Sequence, residues 1–115
     1  MSYDCVCDYE PARVYSPRII KSARKEHKCY ECGRPITVGE SYESTFAVWD
    51  YPKTCKTCCR CLALRNFIQQ NVKCFCWAHG NMIEDAMATA DTYYEQGNGL
   101  LFGAYRRKIL IERAR

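Results

Sequence analysis

Ten of the 115 residues are cysteines, and the spacing of four of them is typical of metal ligands. Two pairs follow the pattern Cys-x2-Cys, with 22 residues between the pairs. A short turn between two cysteines presents two thiolate sulfurs to one ion, and Zn²⁺ prefers four such ligands in a tetrahedron. We therefore predict one zinc site made of Cys29, Cys32, Cys55 and Cys58.

A second pairing with the same spacing overlaps this site, because Cys58 is also followed by Cys61. In that arrangement Cys61 would replace Cys55. We favour Cys55, since Cys61 falls on one helical face with Leu64 and Ile68, where a buried thiol is ordinary core chemistry. The overlap itself leaves both sets open.

The pattern gives less support to other chemistry at this site. An iron–sulfur cluster uses the same number of ligands, but the dense Cys-x2-Cys-x2-Cys-x3-Cys run is missing. Thioredoxin-like redox chemistry would need flanking βαβ units, which the sequence does not supply. Cys59 is interpreted as a bystander, while His27, two residues before Cys29, could substitute for one cysteine.

The remaining cysteines could form a second zinc site. Cys5 with Cys7 and Cys74 with Cys76 supply four sulfurs, and His79 could substitute for one of them. Such a site would tie the N-terminal segment to the loop after the first predicted helix. The alternative is that these four are unligated thiols in two loops. The sequence therefore predicts one zinc ion and permits a second.

The cellular compartment decides whether cysteines act as ligands or form disulfides. The first ten residues have neither the basic region nor the apolar stretch of a signal peptide. No run approaches the ~20 apolar residues that a membrane-spanning helix needs. We therefore expect a cytoplasmic protein with reduced thiols and no membrane contact.

The first site requires a hairpin and a helix to bring its two halves together. Residues 36–40 predict a strand and a turn, and residues 42–48 alternate like a half-buried strand. The alternation places Tyr42, Phe46 and Val48 on one face and Glu43 and Thr45 on the other. Pro52 is expected to end this strand. We expect a helix to begin at the second cysteine pair and to end near Asn71.

The elements outside the zinc site are less regular at the N-terminus than at the C-terminus. Residues 1–17 are expected to be irregular, with a short strand at residues 19–20. Asn81 is expected to cap a helix that ends at Gly97. Residues 100–115 fit either a last helix or a strand.

These elements predict an α+β fold. The order of a zinc knuckle, a β-hairpin and a helix that supplies the last ligands resembles a treble clef over residues 27–70. Additional helices follow on the C-terminal side. We divide the chain into a zinc-binding module, residues 1–80, and a helical extension, residues 81–115, packed on it in one compact domain.

The pattern argues against an enzyme. A catalytic zinc site keeps one position open for water, whereas four cysteines close the site. The His-x-Glu pattern of zinc deaminases is absent, and the chain has only two histidines. The first zinc is therefore expected to be structural, replacing a core that a hairpin and one helix cannot build alone.

Net charge bears on the choice of partner. Lys and Arg number 17 against 13 acidic residues, which gives a formal charge of +4 with neutral thiols. A Zn²⁺ ion with four thiolates carries −2, which lowers the total to about +2. This small charge favours a protein partner, so we expect an adaptor or an inhibitor of another protein.

The alternative is a zinc-finger-like protein that binds nucleic acid. Two basic stretches, residues 18–28 and 106–115, could contact phosphates, and exposed aromatic rings could stack on bases. The cations of the first stretch are Arg18, Lys21, Arg24, Lys25 and Lys28.

The run from residue 23 to residue 36, with residues 39–43, 48–50 and 54–58, resembles a set of small zinc-ribbon-like proteins encoded by tailed bacteriophages and prophages. The N-terminal residues 5–8 also fit that pattern. The resemblance implies a zinc-ribbon or treble-clef-like fold and a bacterial host cytoplasm. In that setting we expect the protein partner to be a host or phage protein. The resemblance implies no particular reaction.

Overall fold

The computed structural model describes residues 12–72, 75–93 and 100–114. Within these ranges the chain forms five strands and three helices. They are β1 (Val14–Ile20), β2 (His27–Lys28), β3 (Pro35–Ile36), β4 (Tyr42–Val48), β5 (Pro52–Cys58), α1 (Cys59–Asn71), α2 (Met82–Thr92) and α3 (Leu100–Ala114). The predicted α+β class is confirmed.

Three strands form an antiparallel sheet in the order β1-β4-β5, and β2 pairs with β3 in a separate ribbon. Thr45, in the middle of β4, lies opposite Pro17 on one side and Cys55 on the other. Proline cannot donate a backbone hydrogen bond and is tolerated on an edge strand such as β1. The segment that was expected to be irregular up to residue 17 is therefore a strand from Val14 onwards.

Strand β5 is longer than the sequence suggests, and the predicted start of the helix is wrong. Every residue of β5 pairs with β4, from Pro52 opposite Val48 to Cys58 opposite Tyr42. This pairing keeps the backbone extended through Cys58, so α1 begins only at Cys59. Pro52 begins a strand rather than ending one.

The two faces of β4 are divided as predicted, but the polar face is the more buried one. Glu43, Thr45 and Ala47 are buried, whereas Phe46 is 44 % exposed. Tyr42, at the start of the strand, is also buried. A buried glutamate needs a partner of opposite charge, and α1 supplies one.

Helix α1 packs against both α2 and α3. The contact is made by small and aliphatic side chains that are fully buried, namely Leu64, Ile68, Ala86, Ala90, Ala104 and Ile111. Gly103 permits a close approach of α3 to α1, because a Cβ atom there would lie 2.2 Å from Cζ of Phe67. Residues 100–114 form a helix, which decides between the two predicted alternatives.

Helix α2 begins at Met82, directly after Asn81, as predicted. The side chain of Asn81 donates to Asp85 at 2.9 Å instead of capping a backbone N–H group. The predicted helix end at Gly97 and the first 11 residues lie outside the described residues. The predicted division of the chain at residue 80 stays a prediction.

Candidate metal centre

Four buried cysteines converge where the β2–β3 ribbon meets the end of β5 and the start of α1. They are Cys29, Cys32, Cys58 and Cys61, and their sulfurs all lie within 4.8 Å of one another. The Sγ atoms of Cys29 and Cys61 are 3.8 Å apart, as are those of Cys32 and Cys58. Two sulfurs on a tetrahedral zinc with bonds of about 2.3 Å are themselves about 3.8 Å apart. Two of the sulfur pairs therefore have the spacing of zinc ligands, and the other pairs lie within 4.8 Å.

The fourth member of this cluster is Cys61 and not Cys55, so the predicted ligand set is wrong at one position. Because β5 is extended, its side chains alternate between two faces, and Cys55 lies on the face opposite to Cys58. The first turn of α1 returns Cys61 to the side of Cys58. The overlapping Cys-x2-Cys pattern is the sequence signal for this set, and Cys61 is both a core residue and a cluster member.

A tight turn positions the first two sulfurs. The N–H group of Cys29 donates to the carbonyl of Arg34 at 2.8 Å, and that of Gly33 donates to the carbonyl of Cys29 at 3.0 Å. Gly33 has φ of 77°, a left-handed conformation that residues with a Cβ atom adopt only at a cost. The N–H group of Cys58 donates to Sγ of Cys29 at 3.3 Å, which favours the thiolate form.

The four sulfurs shift one another's protonation in opposite directions. Contact with Cys32 lowers the pKa of Cys29 to about 6, and contact with Cys29 lowers the pKa of Cys58. Contact with Cys29 raises the pKa of both Cys32 and Cys61. Crowded thiols thus cannot all ionise by themselves. A divalent cation supplies the charge that lets all four become thiolates, so the donor set fits Zn²⁺.

Two other candidates for this site lie outside the cluster. Cys59 is an exposed free thiol, in agreement with its interpretation as a bystander. The ring of His27 lies 5.2 Å from that of Tyr42 and contributes no atom to the four-sulfur group.

The second predicted zinc site is only partly visible. Cys5, Cys7 and Cys74 lie outside the described residues. Cys76 is disulfide-bonded, unlike the six free cysteines of the described ranges, and so departs from the expectation of reduced thiols. Nε2 of His79 lies 2.9 Å from the hydroxyl of Tyr15, and Nδ1 lies 3.8 Å from the carboxylate of Glu31. The second site stays a prediction.

The predicted basic stretch is spread over two elements and the segment between them. Arg18 lies on β1 and Lys28 on β2, while Lys21, Arg24 and Lys25 occupy the connection. All five side chains are exposed.

The C-terminal basic cluster is partly used within the fold. The guanidinium of Arg107 lies 3.9 Å from the ring centre of Phe67 and donates to the carbonyl of Gly103 at 3.1 Å. Lys108 lies 3.8 Å from Glu112. Arg115 is outside the described residues.

A buried ion pair occupies the polar face of β4. The two guanidinium nitrogens of Arg65 donate to the carboxylate of Glu43 at 2.8 and 2.5 Å. Burial alone would raise the pKa of Glu43, but the hydrogen bond and charge of Arg65 outweigh it and the net pKa is lowered. The same guanidinium lies 4.9 Å from the ring centre of Trp77. No local sequence pattern signals this pair.

Glu31 lies between Cys29 and Cys32, in the turn that we call the knuckle, and it connects this turn to α2. Its carboxylate accepts hydrogen bonds from the N–H groups of Gly80 at 2.8 Å and Met82 at 3.1 Å. It also lies 3.8 Å from Nδ1 of His79, whose Nε2 is 2.9 Å from the hydroxyl of Tyr15. Burial raises the pKa of Glu31 and lowers that of His79, so the imidazole is neutral at pH 7.

The chain was compared with protein-family models, curated proteins and solved structures. No family model, no curated protein and no solved structure matches it. None of the helices in the described ranges has the length and apolar character needed to cross a membrane.

Proposed function

We propose that the protein is a non-enzymatic zinc protein with a treble-clef-like fold, in which one Zn²⁺ is bound by Cys29, Cys32, Cys58 and Cys61. The arrangement that supports this is a knuckle between β2 and β3, the β4–β5 hairpin, and two further sulfurs at the start of α1. A helix N-terminus favours thiolates, because its N–H groups carry partial positive charge.

The zinc is structural in this proposal. Four thiolates complete a tetrahedron and leave no position for a reactive water. In the described part of the chain, no histidine or carboxylate joins the four sulfurs. The cluster joins the β2–β3 ribbon to the end of β5 and the start of α1.

Metal counting by native mass spectrometry tests this proposal. We expect the natively purified protein to carry zinc, and Cys61→Ser to lose the ion from this site. Cys55→Ser is the matched control, since Cys55 is also a buried thiol but lies on the other face of β5. Loss of the ion from Cys55→Ser with retention in Cys61→Ser would overturn the proposed ligand set.

The activity we propose is protein binding, as an adaptor or inhibitor of a host or phage protein in a bacterial cell. The observation that carries it is the outer surface of α3. Phe102, Tyr105 and Leu110 are 70, 55 and 41 % exposed on this one helix. The exposed cations Arg106 and Arg113 lie on the same side of the helix, because they are three or four residues from Phe102 or Leu110. Apolar rings with adjacent cations suit an acidic, amphipathic partner segment.

A pull-down from bacterial lysate tests the α3 surface. We expect the wild-type protein to retain a specific partner that a Phe102→Glu/Tyr105→Glu double variant does not retain. Phe46→Glu is the control, because Phe46 is a similarly exposed ring on the sheet. Equal retention by all three proteins, or no retention by any, would count against this function.

Nucleic-acid binding is the second candidate, and the outward face of the sheet favours it. Arg18, Ser44 and Lys56 form one row across β1, β4 and β5. Phe46 is exposed on the same face, two residues along β4 from Ser44. A ring flanked by cations and hydroxyls is a platform for single-stranded nucleic acid.

Anisotropy of a labelled single-stranded oligonucleotide at low salt tests this candidate. Arg18→Glu/Lys56→Glu should abolish the binding, because both phosphate-contacting charges are reversed. Arg60→Glu, on α1, makes a charge change of the same kind away from the sheet and should leave binding nearly unchanged. No binding at low salt removes this candidate.

A further inference from the structure

A cavity of about 740 Å³ lies between the inner face of the sheet and the segment that precedes α2. Its lining includes Trp49, Asp50, Lys53, Cys55, Trp77 and His79. This volume lies within the range of about 300–1,000 Å³ that is typical of small-molecule sites. Half of the described lining residues carry aromatic rings, which makes flat stacking surfaces available.

The ring of Trp77 is held in place by its neighbours. The guanidinium of Arg65 lies 4.9 Å from its centre, and the ring of His79 meets it edge-on at 4.7 Å. The ring of Phe75 stacks near it at 6.3 Å. An aromatic surface that is fixed before binding loses little conformational entropy when a planar ligand stacks on it.

One cation and one carboxylate line the same cavity. The ammonium of Lys53 donates to the hydroxyl of Tyr30 and lies 4.3 Å above its ring, so it is held at the wall. Among the described residues of the lining, Asp50 is the only acidic one. A fixed ammonium suits a phosphate, and a carboxylate accepts hydrogen bonds from sugar hydroxyls.

Covalent chemistry does not fit this cavity. Cys55 is a buried free thiol, and burial raises its pKa, which keeps it protonated. A protonated thiol is a poor nucleophile. The imidazole of His79, a potential base, is held by the hydroxyl of Tyr15. The lining is therefore suited to binding.

We propose that this cavity binds a nucleotide, with the base on the rings of Trp49 and Trp77, the phosphate on Lys53 and the sugar near Asp50. The cavity supplies stacking surfaces, one fixed cation and one acceptor, which are the three recognition elements that a nucleotide requires. The nucleotide is either a free mononucleotide or one residue of a single strand. The proposal does not depend on the α3 surface.

Intrinsic fluorescence provides the readout, because the chain has two tryptophans and both line the cavity. The full-length protein is titrated with each of the four ribonucleoside monophosphates, with the matching nucleosides and with inorganic phosphate. We expect saturable quenching by at least one monophosphate, about tenfold weaker binding of its nucleoside and no response to phosphate. If no monophosphate changes the fluorescence up to millimolar concentration, the proposal is wrong.

Two cations supply the pair of variants. Lys53→Gln should weaken nucleotide binding about tenfold. Arg60→Gln should leave it unchanged, because Arg60 lies on α1 and does not line the cavity. Circular dichroism verifies that both variants are folded. Equal weakening by the two variants would show charge attraction without a site, and would overturn the proposal.

The source of the nucleotide is decided by competition. If a short single-stranded oligonucleotide displaces the monophosphate at lower concentration per residue, the cavity accepts a residue of a strand. If the monophosphate binds more tightly, the ligand is a free nucleotide. Either result supports the cavity, provided that Lys53→Gln weakens both ligands. Displacement that is insensitive to Lys53→Gln would contradict it.

Discussion

Two buried polar centres lie on opposite faces of the β4–β5 hairpin, only one residue pair apart. Cys58, a member of the four-cysteine cluster, lies opposite Tyr42, and the next pair along the hairpin is Thr57 with Glu43. The cluster consists of groups of one kind that repel one another when ionised. The Glu43–Arg65 pair consists of opposite charges that neutralise each other.

This difference determines what each centre needs from outside the chain. The ion pair is complete, because both side chains come from the fold and the guanidinium meets the carboxylate with two hydrogen bonds. The cluster is complete only with a cation, since its sulfurs shift one another's pKa in opposite directions. We therefore expect the cluster to respond to chelators and the pair to respond only to substitution.

The largest effect is expected from removal of a zinc ligand. Cys58→Ser should abolish cooperative unfolding, because a structural zinc contributes about 10–16 kcal/mol of apparent binding free energy. That exceeds or equals the net stability of about 5–15 kcal/mol of an ordinary domain. Far-UV circular dichroism during urea denaturation, with and without a chelator, measures the loss.

The neighbouring residue provides the control for this variant. Cys59 is one residue away but exposed, so Cys59→Ser should unfold like the wild type and lose its structure only when a chelator is added. An unchanged urea midpoint for Cys58→Ser would mean that the cluster does not hold the fold together.

The second largest effect is expected at the ion pair. Arg65→Met leaves the Glu43 carboxylate buried without a partner and should lower the free energy of unfolding by about 3–5 kcal/mol. The side chains of both residues are about nine-tenths buried, so solvent cannot replace the lost partner. Chemical denaturation with saturating zinc measures the difference separately from the metal centre.

A double variant shows whether the lost charge partner causes this effect. Glu43→Gln together with Arg65→Met should be more stable than Arg65→Met alone, because no buried charge remains. Arg60→Met, at an exposed position of α1, should change stability by less than about 1 kcal/mol. If the double variant is no more stable than Arg65→Met, the loss of stability comes from the lost packing of Arg65 against Trp77 and not from the unpaired carboxylate.

The two centres also differ in how far the sequence predicts them. Three of the four clustered cysteines follow from Cys-x2-Cys spacing, because each half of the site is made within four residues. The fourth depends on where β5 ends, and that is set by pairing with β4 over its full length. Propensity along one strand does not contain this information, so the spacing alone leaves both Cys55 and Cys61 open as the fourth ligand.

The ion pair has no local signal at all. Glu43 and Arg65 are 22 residues apart, and Glu43 shares a strand face with Thr45, which looks like the solvent side of a half-buried strand. The positions of α1 and of the segment before α2 against the sheet make this face internal. The α+β class and the existence of helix α2 needed no such information, since the hydrophobic periodicity of the sequence suffices for them.

A smaller effect is expected at the turn that makes the knuckle. Gly33→Ala places a Cβ atom on a left-handed residue, which costs about 1–2 kcal/mol. The strain falls on the turn that carries Cys29 and Cys32, so zinc affinity in competition with a chelator should fall by about tenfold. Gly39→Ala is the matched control, because Gly39 is also left-handed, with φ of 92°, but lies outside the knuckle.

The control sharpens the distinction between folding and metal binding. Gly39→Ala should lower stability by a similar amount while leaving the relative affinity for zinc at the cluster close to that of the wild type. Equal losses of zinc affinity in both variants would show that the affinity depends on the stability of the whole fold and not on the geometry of the knuckle.

The smallest expected effect is a pH dependence of the free energy of unfolding that arises from His79. Burial lowers the pKa of His79 below its ordinary value of 6.5. Below pH 6.5 the unfolded chain therefore binds a proton at this residue more readily than the folded chain does. Stability is fully present above pH 6.5 and falls as the pH drops towards the lowered pKa.

Acid has a second route to destabilisation, because it also protonates the zinc ligands. A comparison of urea midpoints at pH 7.5 and 6.0, with zinc saturating, limits that contribution.

Glu31 acts with the opposite sign, because burial raises its pKa. The stability that Glu31 contributes is lost as the pH rises through its folded pKa. His79→Gln should flatten the pH slope, whereas His27→Gln should retain the part that His79 contributes. If both variants keep the full wild-type slope, the acid sensitivity of the fold resides in the cysteine cluster and not in the polar network.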